Sequence, residues 1–368
     1  MEKSKVYFCD MHTTGDRNLL QKLENLMKKA GIESIDFKEK FVAVKMHFGE
    51  PGNLAYLRAN YAKVVCDYVK KLGGKPFVTD CNTLYVGGRK NALDHLDSAY
   101  TNGYNPFMTG VHTIIADGLK GTEEHLVPVE NGVYVKEAKI GSAIMDADIV
   151  ISLTHFKGHE LTGFGGALKN LGMGGGSRAG KMEMHSAGKP QVTQENCIGC
   201  GKCQKICAHG APIITEGKAH IDHDKCVGCG RCIGVCPKDA VEAAFDEAND
   251  VLNCKIAEYS KAIVQNRPNF HISMVVDVAP FCDCHAENDI AIVPDVGMFA
   301  SFDPVALDMA CADAVNKQPA LPGSLLEKHG HDHHDHFTDV SPETNWISAL
   351  KHGVEIGLGS MEYELVEI

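Results

Sequence analysis

The strongest constraint on this chain is a repeated cysteine spacing. "CIGCGKCQKIC" carries Cys197, Cys200, Cys203 and Cys207, and "CVGCGRCIGVCP" carries Cys226, Cys229, Cys232 and Cys236, so C-x2-C-x2-C-x3-C occurs twice. Gaps this short let one tight loop turn three thiolates toward a common centre. Gly199, Gly201, Gly228 and Gly230 allow the backbone to come close to whatever the thiolates hold. Two four-thiolate zinc sites are an alternative, but such sites usually join two C-x2-C units across a longer gap.

Composition decides between metal and disulfide. The chain has 368 residues and 15 cysteines; it has no apolar run long enough for a membrane span, and its start, "MEKSKVYFCD", lacks a signal-peptide core. These features predict a cytoplasmic protein with no membrane span, in a compartment where clustered cysteines bind metal more often than they pair. A formal charge of -12 argues against nucleic acid as a partner, although a local basic patch can still hold an anion.

Outside the cysteine runs, apolar strands are expected at 41–48, 76–80, 113–116, 148–153 and 272–278, and helices at 16–30, 54–72 and 303–316. Asp303 and Pro304 give the last helix an N-cap and a first-turn proline. The pattern predicts an α/β fold with a largely parallel sheet. The cysteine runs fall in mid-chain, so residues 1–188 and 245–368 should form one discontinuous α/β domain around a small insertion at 189–244.

Both cysteine runs resemble those of bacterial two-cluster ferredoxins, in which the fourth cysteine of each run ligates the other cluster. The resemblance implies two [4Fe-4S] clusters, one on Cys197, Cys200, Cys203 and Cys236 and one on Cys226, Cys229, Cys232 and Cys207. The first run ends Cys207-Ala208, where ferredoxins usually have proline. The longer motifs "VKMHFGEPGN", "KPFVTDCNTLY", "HFKGHELTGFGGALKNLGMG", "VDVAPFCDCH" and "DVGMFASFDPVALD" together resemble the DUF362 family of iron–sulfur centre proteins, which often carry such a module. The KGH stretch is also distantly similar to lactate racemase and its relatives, which use lysine and histidine around a nickel-bearing cofactor.

The candidate site is residues 154–176, "THFKGHELTGFGGALKNLGMGGG". It follows an expected strand, where ligands bind in open α/β sheets. His155 and His159 would carry protons, Lys157 and Lys169 positive charge, and the start of an "ALKNLG" helix could present amides to a carboxylate or phosphate. A solvated glycine loop is the plainer alternative. His47 and Lys45 end another strand and could reach the same rim, while Asp80 and Asn82 read as turn residues and His185 as a surface or site histidine.

"FCDCH" places Cys282, Cys284 and His285 together, an additional metal site, completed by His47 or His155, or a thiol pair. The histidine run at 329–336 reads as a polar loop or weak metal binder, and Cys9, Cys66, Cys81, Cys254 and Cys311 as small buried residues. "GFGGALKNLG" is not G-x-G-x-x-G, which disfavours a bound dinucleotide. Together these features predict an oxidoreductase that moves electrons through two clusters to or from a small anionic substrate or cofactor. A non-enzymatic electron carrier docking a redox partner protein is one alternative, and a metallocofactor maturation or metal-handling protein another.

Overall fold

Along "FVAVK", Val42 and Val44 face one hydrophobic core and Ala43 the other. A strand buried on both faces needs this continuous apolar run and gets a helix layer on each side. The computed structural model describes residues 3–84, 87–185, 188–245, 247–330 and 335–368. Eight strands build the main sheet: β1 (Ser4–Asp10), β2 (Phe41–Lys45), β3 (Lys75–Asp80), β4 (Thr113–Ile115), β5 (Ile149–His155), β6 (Asn269–Val275), β7 (Gly297–Ser301) and β8 (Tyr363–Glu367). Their order is β8-β1-β7-β6-β5-β2-β3-β4. All neighbours run parallel except β7, which is antiparallel to β1 and β6.

Helices α1 (Leu19–Lys29) and α2 (Ala59–Lys71) cover one face of the sheet through Leu23, Leu26, Val65 and Val69. The opposite face packs on α3 (Ala167–Gly175), α4 (Asn249–Val264) and α5 (Pro304–Asn316) through Leu171, Ile256, Ile263 and Leu307. The expected cap of α5 is present: Asp303 accepts the amides of Val305 and Ala306, with Pro304 in the first turn. No helix among the described residues is long and apolar enough to cross a membrane.

Several expected boundaries move. β2 stops at Lys45 rather than residue 48, and β5 runs on through His155 rather than ending at 153. The expected KGH loop is a short antiparallel hairpin, Lys157–His159 with Gly163–Gly165, and Lys157 and His159 are buried rather than solvated. α2 begins at Ala59 instead of residue 54.

Between Pro190 and Ala243 the chain leaves the sheet. Pro190–Val192 pairs with Val241–Ala243, and Pro212–Thr215 pairs with Lys218–Ile221, both antiparallel. Short helices Lys202–Ile206 and Arg231–Val235 lie within the two cysteine runs. This segment has its own small core of Cys197, Cys203, Cys232, Ile233 and Ala240, into which Leu84 and Met182 reach from the main body.

Candidate functional site

β5 lies between β2 and β6, so the chain changes its direction of travel across the sheet between β2 and β5. Ligands in open α/β sheets bind beyond the strand carboxyl ends at such a switch. Lys45, Asp80 and His155 stand at the ends of β2, β3 and β5, and all three are buried. They border a cavity of about 60 Å³. At roughly 15 Å³ for each water, it suits a few waters or a small anion rather than a nucleotide.

Five cationic side chains, Lys45, Arg89, Lys157, Lys169 and Lys181, line this cavity against one carboxylate, Asp80. Lys45 Nζ is 2.9 Å from Asp80 and also donates to Asn170 at 3.0 Å. Burial pushes the Asp80 carboxyl up, but Lys45, His47 and His95 outweigh it and hold Asp80 well below the usual carboxylate range. Gly174 of α3 makes room for Lys45: a Cβ there would lie 2.4 Å from Lys45 Nζ.

Asp283, a residue between the two cysteines that carries no site signal of its own in the sequence, holds two of the expected site residues. His155 Nδ1 donates to its carboxylate at 2.9 Å, while His155 Nε2 donates to Val276 O at 2.9 Å. Lys157 Nζ donates to His155 O at 2.9 Å and lies 3.5 Å from Asp283. Both are thus fixed as charge partners of Asp283 instead of standing free on a loop. Burial works against the Asp283 charge, but His155 and Lys157 keep it well below the ordinary range.

The remaining two expected residues meet the cysteine pair. Lys169 Nζ is 3.3 Å from Cys282 Sγ. Burial alone would lower the Lys169 pKa, but Cys282, Cys284 and Glu160 raise it to about 12. Among the described residues, His159, Cys282 and Cys284 are the one group of three whose donor atoms all lie within 4.8 Å of one another, close enough to hold a metal ion. His285 instead contacts Glu160 at 2.9 Å. His47 lies 2.8 Å from Arg89 Nη1 and accepts the Gly49 amide at 3.0 Å, and burial and Arg89 push its pKa down to about 3.

The amides opening α3 are already taken. Asp308 accepts from Ala167 N at 2.6 Å and Leu168 N at 2.9 Å, so this helix start does not offer the anion site expected from the sequence. Asn82 binds Asp117 through its backbone and side-chain nitrogens at 2.9 and 2.8 Å. His185 is buried, not on the surface, and Cys254 is only partly buried while Cys9, Cys66, Cys81 and Cys311 are fully so. Of the histidine run, residues 331–334 lie outside the described residues; His336 is buried against Gln318 O at 2.8 Å.

Two further cavities occupy the small segment. Cys197, Cys200, Cys203 and Cys236 line one, and Cys207, Cys226, Cys229 and Cys232 line the other. None of the described cysteines forms a disulfide. The amides of Ala219 and Ala240 donate to Cys197 Sγ and Cys236 Sγ at 3.2 Å. Gly199 and Gly228 have φ of +61° and +72°, and a Cβ on either would fall 2.1 Å from a carbonyl oxygen, that of Gly217 or Gly188. Gly201 has φ +71° but nothing within 4 Å of its Cβ position. Gly228→Ala should therefore destabilise the segment by about 1–3 kcal/mol from backbone strain plus a collision, and Gly201→Ala by about 1 kcal/mol from the left-handed backbone alone. Thermal unfolding of the two variants side by side checks the order.

Comparison with known proteins gives a family and distant structural matches. The family described as Domain of unknown function (DUF362) matches residues 42–313. No curated protein matches the chain. Among solved structures, the lactate racemase apoprotein from Thermoanaerobacterium thermosaccharolyticum aligns with TM-score 0.40 and 11% identity, over 74% of this chain and 51% of that one. A crystal structure of a protein from Thermotoga maritima aligns with TM-score 0.41 and 13% identity, over 82% and 60%. The chain thus spans between half and two thirds of the length of the structures it resembles.

Proposed function

The chain belongs to the DUF362 family, and from that premise we propose that it is an iron–sulfur oxidoreductase whose lysine-lined cavity takes a small anionic substrate. One observation carries the reading: the eight clustered cysteines divide between two cavities in the crossed pattern, Cys236 with the first run and Cys207 with the second. Four-thiolate zinc sites usually join two C-x2-C units across a longer gap, so the repeated C-x2-C-x2-C-x3-C spacing suits a polynuclear centre. Residues 189–244 are then a ferredoxin-like insertion. Cys197, Cys200, Cys203 and Cys236 would hold one [4Fe-4S] cluster and Cys207, Cys226, Cys229 and Cys232 the other. Such clusters supply one-electron transfer at potentials tuned by hydrogen bonds to sulfur.

The chain's own groups divide the remaining work. The amides of Ala219 and Ala240 donate to cluster-side thiolates, and Lys45, Lys157, Lys169 and Lys181 attract and orient an anion at the sheet switch. Asp283 fixes His155 and Lys157, two members of the cavity wall, in place. The test is anaerobic purification with iron and sulfide analysis and EPR of the dithionite-reduced protein. About eight irons per chain with coupled-cluster signals are expected. Stoichiometric zinc with no iron, unchanged by reconstitution, would overturn the reading.

A further inference from the structure

The geometry points to a second redox centre: Cys282 and Cys284 form a dithiol–disulfide couple, with His159 and Lys169 holding Cys282 as the thiolate of its reduced form. It stands independently of the iron–sulfur reading, because its argument uses none of the eight clustered cysteines.

The first observation is the state of His159. Its Nδ1 accepts the backbone amides of Leu161 at 3.1 Å and Thr162 at 3.2 Å. It lies 3.7 Å from Glu160, beyond hydrogen-bond distance. Backbone amides can only donate, so Nδ1 carries a lone pair and the ring proton sits on Nε2. A metal-bound histidine shows the reverse arrangement, its second nitrogen donating to a carboxylate or carbonyl. His159 is therefore set up to donate a hydrogen bond to Cys282 rather than to ligate an ion beside it. The second observation is Lys169, whose ammonium, 3.3 Å from the same sulfur, would oppose a cation there but stabilises a thiolate.

The electrostatics agree. The hydrogen bond from Cys284, with Lys169 and His159, holds the Cys282 thiol well below its ordinary range despite burial, while Cys284 is raised. This asymmetry assigns roles. Cys284 is half-buried and borders a separate cavity of about 300 Å³ that lies against Ile233, Asp239 and Val241 of the small segment. A reductant thiolate reaching through that cavity attacks Cys284 Sγ of the disulfide, and Cys282 leaves as the thiolate beside Lys169. The reductant's second thiol then displaces Cys284, which departs as a thiol. In sum, the disulfide and a dithiol give Cys282 thiolate, Cys284 thiol, the reductant's disulfide and one proton. The reverse direction consumes a small disulfide. A leaving thiolate of low pKa speeds the first step.

The test equilibrates the whole protein anaerobically across ratios of reduced to oxidised dithiothreitol, quenches with acid, alkylates free thiols and maps the peptides by mass spectrometry. A reversible two-hydrogen loss on the peptide holding Cys282 and Cys284 is expected. In Lys169→Gln the equilibrium should shift about tenfold toward disulfide, about 30 mV. Cys282→Ser should trap the mixed disulfide on Cys284 when a small disulfide is added, because the sulfur that resolves it is gone, which keeps the test decisive if Lys169→Gln folds poorly. A peptide that stays dithiol at every ratio overturns the proposal, as does a stoichiometric metal ion released by His159→Ala. Iron measured on the same samples separates the two readings: clusters without the disulfide sink only this inference, and the disulfide without clusters sinks only the cluster assignment.

Discussion

Cys236→Ser and Cys207→Ser should each lower the iron content from about eight to about four per chain, and each should spare the cavity built from its own sequence run. Cys236 belongs to the second run but lines the cavity of Cys197, Cys200 and Cys203. Cys207 belongs to the first run but lines the cavity of Cys226, Cys229 and Cys232. Double variants make the crossing measurable, because two changes at one centre do not add while changes at separate centres do. Cys236→Ser with Cys197→Ser should retain about four irons, and Cys236→Ser with Cys226→Ser should retain almost none. Iron and sulfide assays with EPR on the reduced proteins read the result. The opposite pairing of outcomes would mean that each run closes on its own centre and that the crossed assignment is wrong.

The parts of this fold that could be read from sequence are those whose signal is local. "FVAVK" and "DIVISL" are continuous apolar runs because both faces of β2 and β5 are covered, and Asp303-Pro304 caps α5 within its own first turn. β7 escaped notice because "GMFAS" is short and begins with glycine, and only its antiparallel seat between β1 and β6 makes it a strand. The KGH stretch misled for a different reason. Lysine and histidine at 155–159 look solvated until their partners arrive from far along the chain. Asp283 meets His155 across 128 residues, and Asp308 closes the start of α3 across 141. Charge compensation of that range leaves no periodic trace, so burial of the site was invisible while its residue types were not. "FCDCH" did hold the missing partner, the aspartate between the cysteines.

Lys45→Met should be the most damaging single change at the sheet switch. Lys45 and Asp80 are 1% and 2% exposed, with Nζ 2.9 Å from Oδ1. Removing the lysine strands a buried carboxylate whose next cation, Arg89, is 3.9 Å away. Breaking such a pair costs about 3–5 kcal/mol, whereas replacing both members with apolar groups is often neutral. Urea denaturation should therefore show a large loss in Lys45→Met and recovery of most of it in Lys45→Met with Asp80→Leu. The pH dependence has a definite sign. Because the Asp80 pKa is depressed in the folded protein, its contribution is present above the unfolded aspartate range and is lost as pH falls through the folded value. In Lys45→Met, protonation relieves the stranded charge instead, so the gap between variant and parent should narrow on acidification. The double variant also separates stability from function: it removes one of the five cations together with the one carboxylate in the cavity lining, so a loss of anion binding reports direct contact with Lys45 rather than net charge. Binding of inorganic phosphate or sulfate should stay weakened while stability returns. If the double variant binds these anions as the parent does, Lys45 serves the fold and the anion is held by Lys157, Lys169 and Lys181.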